Sequence, residues 1–456
     1  MQAEEGKPNG TFLLAKPADN ANYKANVEMF AKSFDGNRNK AYATWQYFGS
    51  PVKSADRNQL PLETTWVRKY DRTLNVPNSD EKWTDVNNGT LAQGQAYEIS
   101  QPKPATYRFI GELNTADFTF PVDGMASATN YQDMNILANP YTGAMSIDKL
   151  DFSGATAADK VVYLFNTGSR KDWIANSGPT TNGTTQGQYT KAIPANLAGH
   201  VAGMPNQIPS LSSFMVKSTA AGNLKYRYAD LVTATEENRA PQRHFHSLAV
   251  DVESAKTADR LWLVQAEGTT DRYDNGWDGE KIFAPGEAAL YAMQDRSYQV
   301  TTTDAIGETK VGFVPGDGEQ NYKLTFHLDG GDGTQQYTLL DKRTGLTRAI
   351  HDGDTYEFTA TKGDAAHRFT ILGNGAKATA DQRGFQISAD LRRNFTVKNF
   401  TDQPAEALVF DAAGKIQARF TVEPGSENTG TVVMPGAYVV RVSNKVTTLT
   451  QRFVMP

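Results

Sequence analysis

A short acidic loop carries the clearest set of possible ligand atoms in the sequence. Asp271, Asp274 and Asp278 lie there within eight residues, beside Asn275 and two glycines. Clustered carboxylates on a glycine-containing loop suit a hard cation such as calcium. The twelfth residue counted from Asp274 is Pro285, so the loop is not an EF-hand. Aspartates also cap turns, and the sequence leaves calcium binding and turn capping both open.

Two histidines and two tryptophans are further candidates. His244 and His246 share one face of a predicted strand, where they could bind a metal, but no third ligand is identifiable; an ordinary polar face is favoured. Trp173 and Trp262 could stack on sugar rings, although aromatic side chains in a sandwich usually pack inside. Trp262 lies on the face opposite to its leucine neighbours and is predicted to be exposed. Trp173 follows a polar loop.

Catalytic chemistry leaves little trace in the sequence. The chain contains no serine-hydrolase elbow, zinc-protease helix motif, phosphate-binding loop or dinucleotide-binding glycine motif. It has no cysteine, which excludes disulfides, thiolate metal sites and a cysteine nucleophile. We therefore predict a protein that is not an enzyme. A hydrolase that uses two carboxylates on a β scaffold would leave no local motif and is the third possibility.

Charge and hydropathy limit the partners. The net charge is −5, and no basic patch is visible in the sequence, so nucleic acid and anionic membranes are not expected as partners. No apolar stretch is long enough to span a membrane. The first five residues lack the features of a signal peptide, and we expect any export leader to have been removed.

The pattern of the whole chain predicts an all-β protein. Apolar and aromatic residues alternate with polar ones, as in Tyr107–Leu113 and Tyr322–Leu328, and helical periodicity is almost absent. Two hairpins are predicted from turn chemistry, at Asp341–Gly345 and Asp411–Gly414. The length of 456 residues suits about three domains. We expect less than ~10% helix and tandem β-sandwiches.

An internal repeat occupies the first half of the chain. Trp45–Pro51 matches Met134–Pro140, and Gly94–Ser100 matches Leu211–Lys217. The second copy carries an insertion at Asn176–Ala198, rich in glycine, threonine and asparagine, whose first part we expect to face solvent. Duplicated units usually share a core. We predict a duplicated β-sandwich module over 1–240, a jelly-roll-like β-sandwich over 241–380 and a small Ig-like sandwich over 381–456.

The last 70 residues resemble a known family. A D-x-x-G hairpin, a P-x-G-x-Y-x-V-[RK]-V strand and a basic-apolar final strand are similar to the C-terminal sorting domain, type A-like, of Bacteroidetes type IX secretion cargo. The resemblance implies export across the outer membrane, the secretion machinery as a partner, and a cell-surface or extracellular location. The residues that carry it are Asp411, Gly414, Pro435, Gly436, Tyr438 and Arg441.

Two other segments resemble proteins of the same bacteria. Asp271–Lys281, Val311–Pro315 and Tyr356–Phe369 are similar to the jelly-roll-like module often found before such sorting domains. Asn135–Tyr141 is similar to an N-L-I-G-N-P-Y strand and turn of surface proteins, with Ala138 in place of the usual glycine. These resemblances imply surface display and no single activity.

These observations predict a non-enzymatic surface or secreted protein, either an adhesin or a surface-layer or matrix component. Its partners would be host or matrix glycans or proteins. The alternative is a carbohydrate-binding accessory region of a secreted glycan-degrading protein, since sandwiches with exposed tryptophans bind glycans. Residues 385–456 carry 8 basic and 6 acidic side chains, whereas the rest of the chain is acidic. This segment is therefore expected to present its own surface to a partner.

Overall fold

The fold is all-β, as predicted: of the residues that the structure describes, strands hold 53% and short helices hold 3%. The computed structural model describes residues 1–3, 10–20, 22–33, 45–77, 79–125, 131–165, 189–233, 244–255, 257–284, 286–331, 333–373, 384–390, 393–401, 403–445 and 448–455. No helix in these ranges is long and apolar enough to cross a membrane. The chain forms two compact units. The first comprises Met1–Phe245, Tyr273–Ala284 and Gln299–Thr301, and the second comprises the rest.

The first unit begins with eight strands and continues with ten more. The first eight are β1 (Lys24–Ala31), β2 (Gln46–Gly49), β3 (Ser54–Asp56), β4 (Trp66–Tyr70), β5 (Trp83–Asp85), β6 (Thr90–Ala92), β7 (Ala96–Ser100) and β8 (Ala105–Glu112). The next ten are β9 (Phe118–Val122), β10 (Met134–Ala138), β11 (Ala144–Ser146), β12 (Asp151–Gly154), β13 (Val161–Phe165), β14 (Tyr189–Pro194), β15 (Gln207–Ile208), β16 (Ser213–Lys217), β17 (Gly222–Tyr226) and β18 (Leu231–Val232). Short 3-10 helices lie at Ala18–Asn20, Arg57–Gln59, Ser79–Lys82, Ile147–Lys149 and Tyr228–Asp230.

The pairing of these strands shows the predicted duplication. One sheet has the order β2-β7-β4-β5 and a second has the order β10-β16-β13-β14, so the equivalent strands occupy equivalent places. The smaller pairs repeat as well, since β1 pairs with β8 as β9 pairs with β17, and β3 pairs with β6 as β11 pairs with β15. In both copies a 3-10 helix follows the short third strand. The repeat is therefore a repeat of topology and not only of sequence.

The two copies meet through a reciprocal pair of backbone hydrogen bonds. The Gly49 amide donates to the Leu211 carbonyl at 3.2 Å, and the Ala138 amide donates to the Gly94 carbonyl at 2.9 Å. The acceptor residues hold equivalent positions and share a left-handed backbone, with φ of +73° at Gly94 and +62° at Leu211. Glycine adopts this conformation without cost, whereas leucine does so only under strain.

Packing in the first unit joins the copies. One buried cluster takes Tyr70 and Trp83 from the first copy and Val161, Tyr163 and Met215 from the second. The end of the predicted insertion contributes to the same core, because β14 pairs with β13 and Ala192 is fully buried. Apolar residues after the glycine-rich stretch therefore form a core strand. The expectation of solvent exposure concerned only residues 176–188 and stays a prediction. Residues 176–188 lie outside the described ranges.

The strands after residue 245 form two groups, one before residue 374 and one after residue 383. The strands after residue 245 are β19 (His246–Glu253), β20 (Ala258–Gln265), β21 (Gly279–Glu280, part of the first unit), β22 (Ala289–Met293), β23 (Ser297–Thr303), β24 (Glu308–Val314), β25 (Asn321–Asp329), β26 (Tyr337–Asp341), β27 (Leu346–Ile350), β28 (Thr355–Thr359) and β29 (His367–Gly373). They are followed by β30 (Phe385–Ala389), β31 (Asn394–Asn399), β32 (Ala405–Asp411), β33 (Ile416–Val422), β34 (Glu427–Thr431), β35 (Gly436–Ser443) and β36 (Thr448–Met455).

The sheet before residue 374 closes over itself. Its strand order is β27-β26-β29-β24-β22-β23-β20-β19-β25-β28. Phe313 on β24 contacts Tyr322 on β25 and Phe358 on β28, at ring-centroid distances of 4.8 and 5.1 Å, although these strands are far apart in that order. The sheet therefore curls into a sandwich with an aromatic core. The finer description as a jelly roll, which came from the resemblance, stays a prediction.

Residues 385–455 form a small sandwich with its own core. Its sheets have the orders β30-β31-β34 and β33-β32-β35-β36. Between them lies one buried cluster that includes Phe385, Phe395, Val409, Tyr438 and Val440. The domain boundaries predicted near 240 and 380 fall in 234–243 and 374–383, outside the described residues, so the division into three domains stays a prediction.

Candidate functional site

The hairpin predicted at Asp411–Gly414 joins β32 to β33. The Asp411 carboxylate accepts the Ala413 amide at 2.9 Å and the Lys415 amide at 3.0 Å, and Gln417 donates to its other oxygen at 2.6 Å. Gly414 closes the turn with φ of +80°. These hydrogen bonds, led by that of the Lys415 amide, lower the pKa of Asp411. The predicted hairpin at Asp341–Gly345 is confirmed in the same way, with Gly345 at φ +70°.

Most of the sorting-type motif serves the structure of this sandwich. Tyr438 is buried, its ring lies 5.8 Å from that of Phe395, and its hydroxyl donates to the Met434 carbonyl at 2.6 Å. Pro435 precedes β35, and Gly436 begins that strand opposite Met455. These residues fix where β35 starts and which of its faces turns inward. Tyr438 is thus part of the core rather than a contact surface.

All of the motif residues except Arg441 lie at one end of the sandwich, because Asp411 pairs with Tyr438 across β32 and β35. We call this end, with the exposed side chains around it, the motif end. Three large apolar side chains there are strongly exposed: Val433 at 83%, Met434 at 67% and Val454 at 84%. Arg393 donates to the Val433 carbonyl at 2.6 Å, so the loop that carries two of them is held in place.

Arg441 lies away from the motif end, on the outer face of the same sheet. It stands opposite Thr450 on β36 and opposite Leu408 on β32. Its side chain is exposed, because alternate residues of β35 point inward. β36 is an edge strand that pairs with β35 in the described sheet. The motif therefore combines buried structural residues with one exposed cation.

The acidic loop of the first unit is built as a turn around Asp278. This aspartate is fully buried, and its carboxylate accepts the Asp274 amide at 2.7 Å. The Asp274 carbonyl accepts the amides of Trp277 and Asp278, and Asn275 accepts the Lys160 amide at 2.7 Å. In the described ranges no three acidic or imidazole side chains form a metal-binding group. Asp271 is exposed. The calcium site stays a prediction beside the turn-capping interpretation.

The prediction that Trp262 is exposed is wrong. Trp262 is fully buried, and so are Leu261 and Leu263 on either side of it. The prediction failed because both faces of β20 are covered, so alternation along the strand leaves none of its side chains fully exposed; Arg260 and Gln265 are partly exposed. Trp173, the other possible sugar-stacking residue, lies outside the described residues.

His246 has an ordinary structural environment. It is buried, with Nδ1 3.1 Å from the Asp329 carbonyl and Nε2 2.5 Å from the Tyr337 hydroxyl. Both ring nitrogens are therefore engaged by protein groups.

Sequence reasoning missed a buried charged network beside the Asp341 hairpin. Arg368 is bidentate to Asp341, with Nη2 2.9 Å and Nε 3.3 Å from the two carboxylate oxygens. The Tyr356 hydroxyl donates to the same carboxylate at 2.8 Å, and the Arg368 guanidinium lies 4.5 Å from the Phe358 ring centroid. The aspartate was visible only as a turn residue, because its partner lies 27 residues away in the chain.

Comparison with known families gives a match over most of the chain. A family model described as a domain of unknown function, DUF8693, matches residues 22–372. The chain belongs to this family. The match covers the duplicated strands and the sandwich that follows them, and it ends before β30.

A curated relative matches the whole chain. It is the minor fimbrium subunit Mfa5 of Porphyromonas gingivalis, 30% identical over 480 residues, with 100% of this chain covered. The chain spans 38% of the length of that relative. The similarity confirms the predicted cell-surface or extracellular location.

Solved structures give weak overlaps. A Faecalibacterium prausnitzii β-glucuronidase matches with a TM-score of 0.15 and 13% identity over 47% of each chain. The BSP domain of a biofilm-associated protein matches with a TM-score of 0.14 and 8% identity, over 100% of this chain and 99% of the other. At these scores neither structure carries an argument about this chain.

Proposed function

We propose that the chain is a non-enzymatic, adhesin-like part of a bacterial surface protein that works within a surface assembly. The observation that carries the proposal is the alignment of its entire length with a fimbrium subunit. Sandwiches with separate buried cores suit a structural role of this kind. Its partners would then be proteins of the assembly, or host or matrix proteins and glycans.

A comparison of cells with and without this chain tests the assembly role. In the native host, deletion of residues 22–372 from the full protein should reduce surface attachment and the amount of partner subunits recovered with isolated surface structures. Antibody labelling of intact cells should detect the wild-type chain. Unchanged attachment and unchanged composition of the surface structures after this deletion would contradict the proposal.

We further propose that the sandwich of residues 385–455 is a type IX sorting domain that the secretion machinery recognises. This proposal is supported by the separate buried core of the sandwich and by the position of five of the six motif residues at one end of it. Exposed apolar side chains there, at Val433, Met434 and Val454, are of the kind that a partner buries on binding. Arg393 holds the loop that carries Val433 and Met434, and Val454 belongs to β36, so little ordering is needed on binding.

Export assays in the native host test this second proposal. Deletion of residues 385–456 should leave the protein inside the cell or in the periplasm. A full-length variant with Val433→Ser, Met434→Ser and Val454→Ser should fold with an unchanged melting temperature and show reduced export. Leu346→Ser is the matched control, because Leu346 is an exposed apolar residue in the other sandwich of the second unit.

The two variants separate two conclusions. Wild-type export of the deletion variant would overturn the sorting proposal. Wild-type export of the triple-serine variant, with the deletion still retained in the cell, would overturn the role of the motif end and leave recognition to another part of the sandwich.

A further inference from the structure

A basic cleft lies within the second unit, where the hairpin after β26 and the start of β29 approach β35 and β36. Its volume is about 460 Å³, within the range of small-ligand pockets. We define this basic cleft by four cations that line it: Arg343 and Arg368 from the larger sandwich, and Arg441 and Lys445 from the C-terminal sandwich. Asp364 is the carboxylate among its lining residues in the described part of the chain.

Two of the four cations are rigidly placed. Arg368 is 5% exposed and fixed by Asp341, while Arg343 donates to Asp364 at 2.6 Å and to the Thr359 carbonyl at 3.1 Å. These contacts hold both guanidinium groups before any ligand arrives, which lowers the entropy lost on binding. Asp364 and Asp341 offset their charges.

The other two cations have no such compensation. Within the described ranges, neither Arg441 nor Lys445 forms an ion pair or a hydrogen bond through its side chain. The side chains that line the cleft therefore carry an excess of positive charge. Because the cleft is concave and its walls have a low dielectric constant, the electrostatic field of these charges is strengthened there. His367 also lines the cleft, and burial, followed by Lys342 and Lys310, lowers its pKa to about 4, so that it adds no charge to the lining at neutral pH.

The remaining lining is polar and offers hydrogen bonds. Thr448 and Thr450 present hydroxyls, and Asn444 presents an amide whose nitrogen donates to Thr401 at 2.8 Å. Ala365 is the one apolar side chain longer than glycine among the described lining residues. A peptide ligand would normally bury apolar side chains, whereas a sugar ring presents hydroxyls on most of its atoms. Cations together with hydroxyls therefore favour an acidic saccharide.

We propose that the basic cleft binds an acidic saccharide of one or two rings, whose carboxylate or sulfate group is held between Arg343 and the Arg441–Lys445 pair. Nothing in this inference requires the sorting proposal, because binding can be measured on the purified chain. The proposal adds a ligand site to the second unit. This site does not use Trp262, which the sequence suggested for stacking on sugar rings and which is buried.

Titration of the full chain with four probes tests the proposal. These are a sulfated uronic-acid disaccharide, its unsulfated counterpart, neutral maltose and hexaglutamate, each followed by calorimetry at about 50 and 300 mM salt. We expect at least one acidic disaccharide to bind ten times more tightly than maltose or hexaglutamate, and more weakly at high salt. The two acidic sugars distinguish sulfate from carboxylate recognition.

Variants locate the site. Arg441→Gln and Lys445→Gln should each weaken disaccharide binding about tenfold, the effect of losing a charge-assisted hydrogen bond. Arg452→Gln is the matched control, because Arg452 is an exposed cation on β36 that does not line the cleft. Melting temperatures should not change. Binding of maltose or hexaglutamate as tight as that of the acidic sugars, or equal loss in Arg452→Gln, would overturn the proposal.

Discussion

Gly49 and Ala138 face each other where the two repeats of the first unit meet, so closely that a Cβ built on Gly49 would lie 2.3 Å from the Cβ of Ala138. Each residue ends the equivalent strand of its own copy, β2 or β10, and each donates its amide to the other copy. Only one methyl group fits between the two strands. The alanine that departs from the glycine of the resembling motif is accommodated because its counterpart is glycine.

The first prediction follows from this contact. Gly49→Ala should lower the free energy of unfolding of the first unit by about 1–3 kcal/mol, because two methyl groups cannot share the space. Ala138→Gly in the same chain should restore most of the loss, since one methyl group is again present. Urea unfolding of both single variants and of the double variant measures the coupling between the sites. Additive effects of the two substitutions would contradict a direct contact.

The second prediction concerns the buried pair of Asp341 and Arg368. Asp341→Asn should destabilise the second unit by about 3–5 kcal/mol, because it leaves a buried guanidinium without its carboxylate. Glu253→Gln is the control: its pair with Lys323 is partly exposed and should contribute less than about 1 kcal/mol. Differential scanning calorimetry measures the loss of stability in both variants. Equal effects of the two substitutions would show that burial does not govern the cost.

The third prediction separates the two interpretations of the acidic loop. Asp278→Ala should lower the free energy of unfolding by about 1–3 kcal/mol, since it removes the buried acceptor of the Asp274 amide. Asp271→Ala, at an exposed position, should have little effect. If the loop is only a turn, millimolar calcium and EDTA leave the wild-type melting temperature unchanged, and this is the result we expect. A rise in the melting temperature on addition of calcium, which Asp278→Ala abolishes, would instead establish the ion site.

The fourth prediction concerns pH. The pKa of His367 is about 4 in the folded chain, lowered first by burial and then by Lys342 and Lys310, against about 6.5 when unfolded. The unfolded chain thus binds more protons between these values, and stability falls as the pH drops from about 6.5 towards 4. The contribution of this group is up to about 3 kcal/mol. His367→Gln should flatten the pH dependence of the free energy of unfolding in this window.

Local patterns in the sequence were enough to predict the strands, the hairpins and the duplication. The repeat is visible because equivalent environments select similar residues, as at the two prolines that follow β2 and β10. Leu211 shows a limit of such patterns. It takes the place of Gly94 in the second copy, with the same left-handed backbone, yet it remains leucine because its side chain is buried in the core of the first copy. Side-chain burial there offsets a backbone cost that the pattern alone would assign to glycine.

The errors have a common origin in contacts between distant residues. Trp262 lies on the face of β20 opposite to its leucine neighbours, as alternation along a strand predicts. Whether that face is exposed to solvent depends on the residues that cover it. The basic cleft escaped notice for the same reason: its cations come from segments about 100 residues apart and form no run in the sequence. The count of charged residues showed that residues 385–456 are basic, but it could not show where on the surface these cations lie.

The shared core of the repeats has a consequence for how the chain is made. Tyr70 and Trp83 emerge from the ribosome before their partner Met215, which follows about 145 residues after Tyr70. At synthesis rates of ~5–20 residues per second, this leaves the first copy without its apolar cover for roughly 7–30 s. During that interval the nascent chain exposes an unfinished apolar face. Protection by a chaperone is therefore needed most while the second copy is being translated.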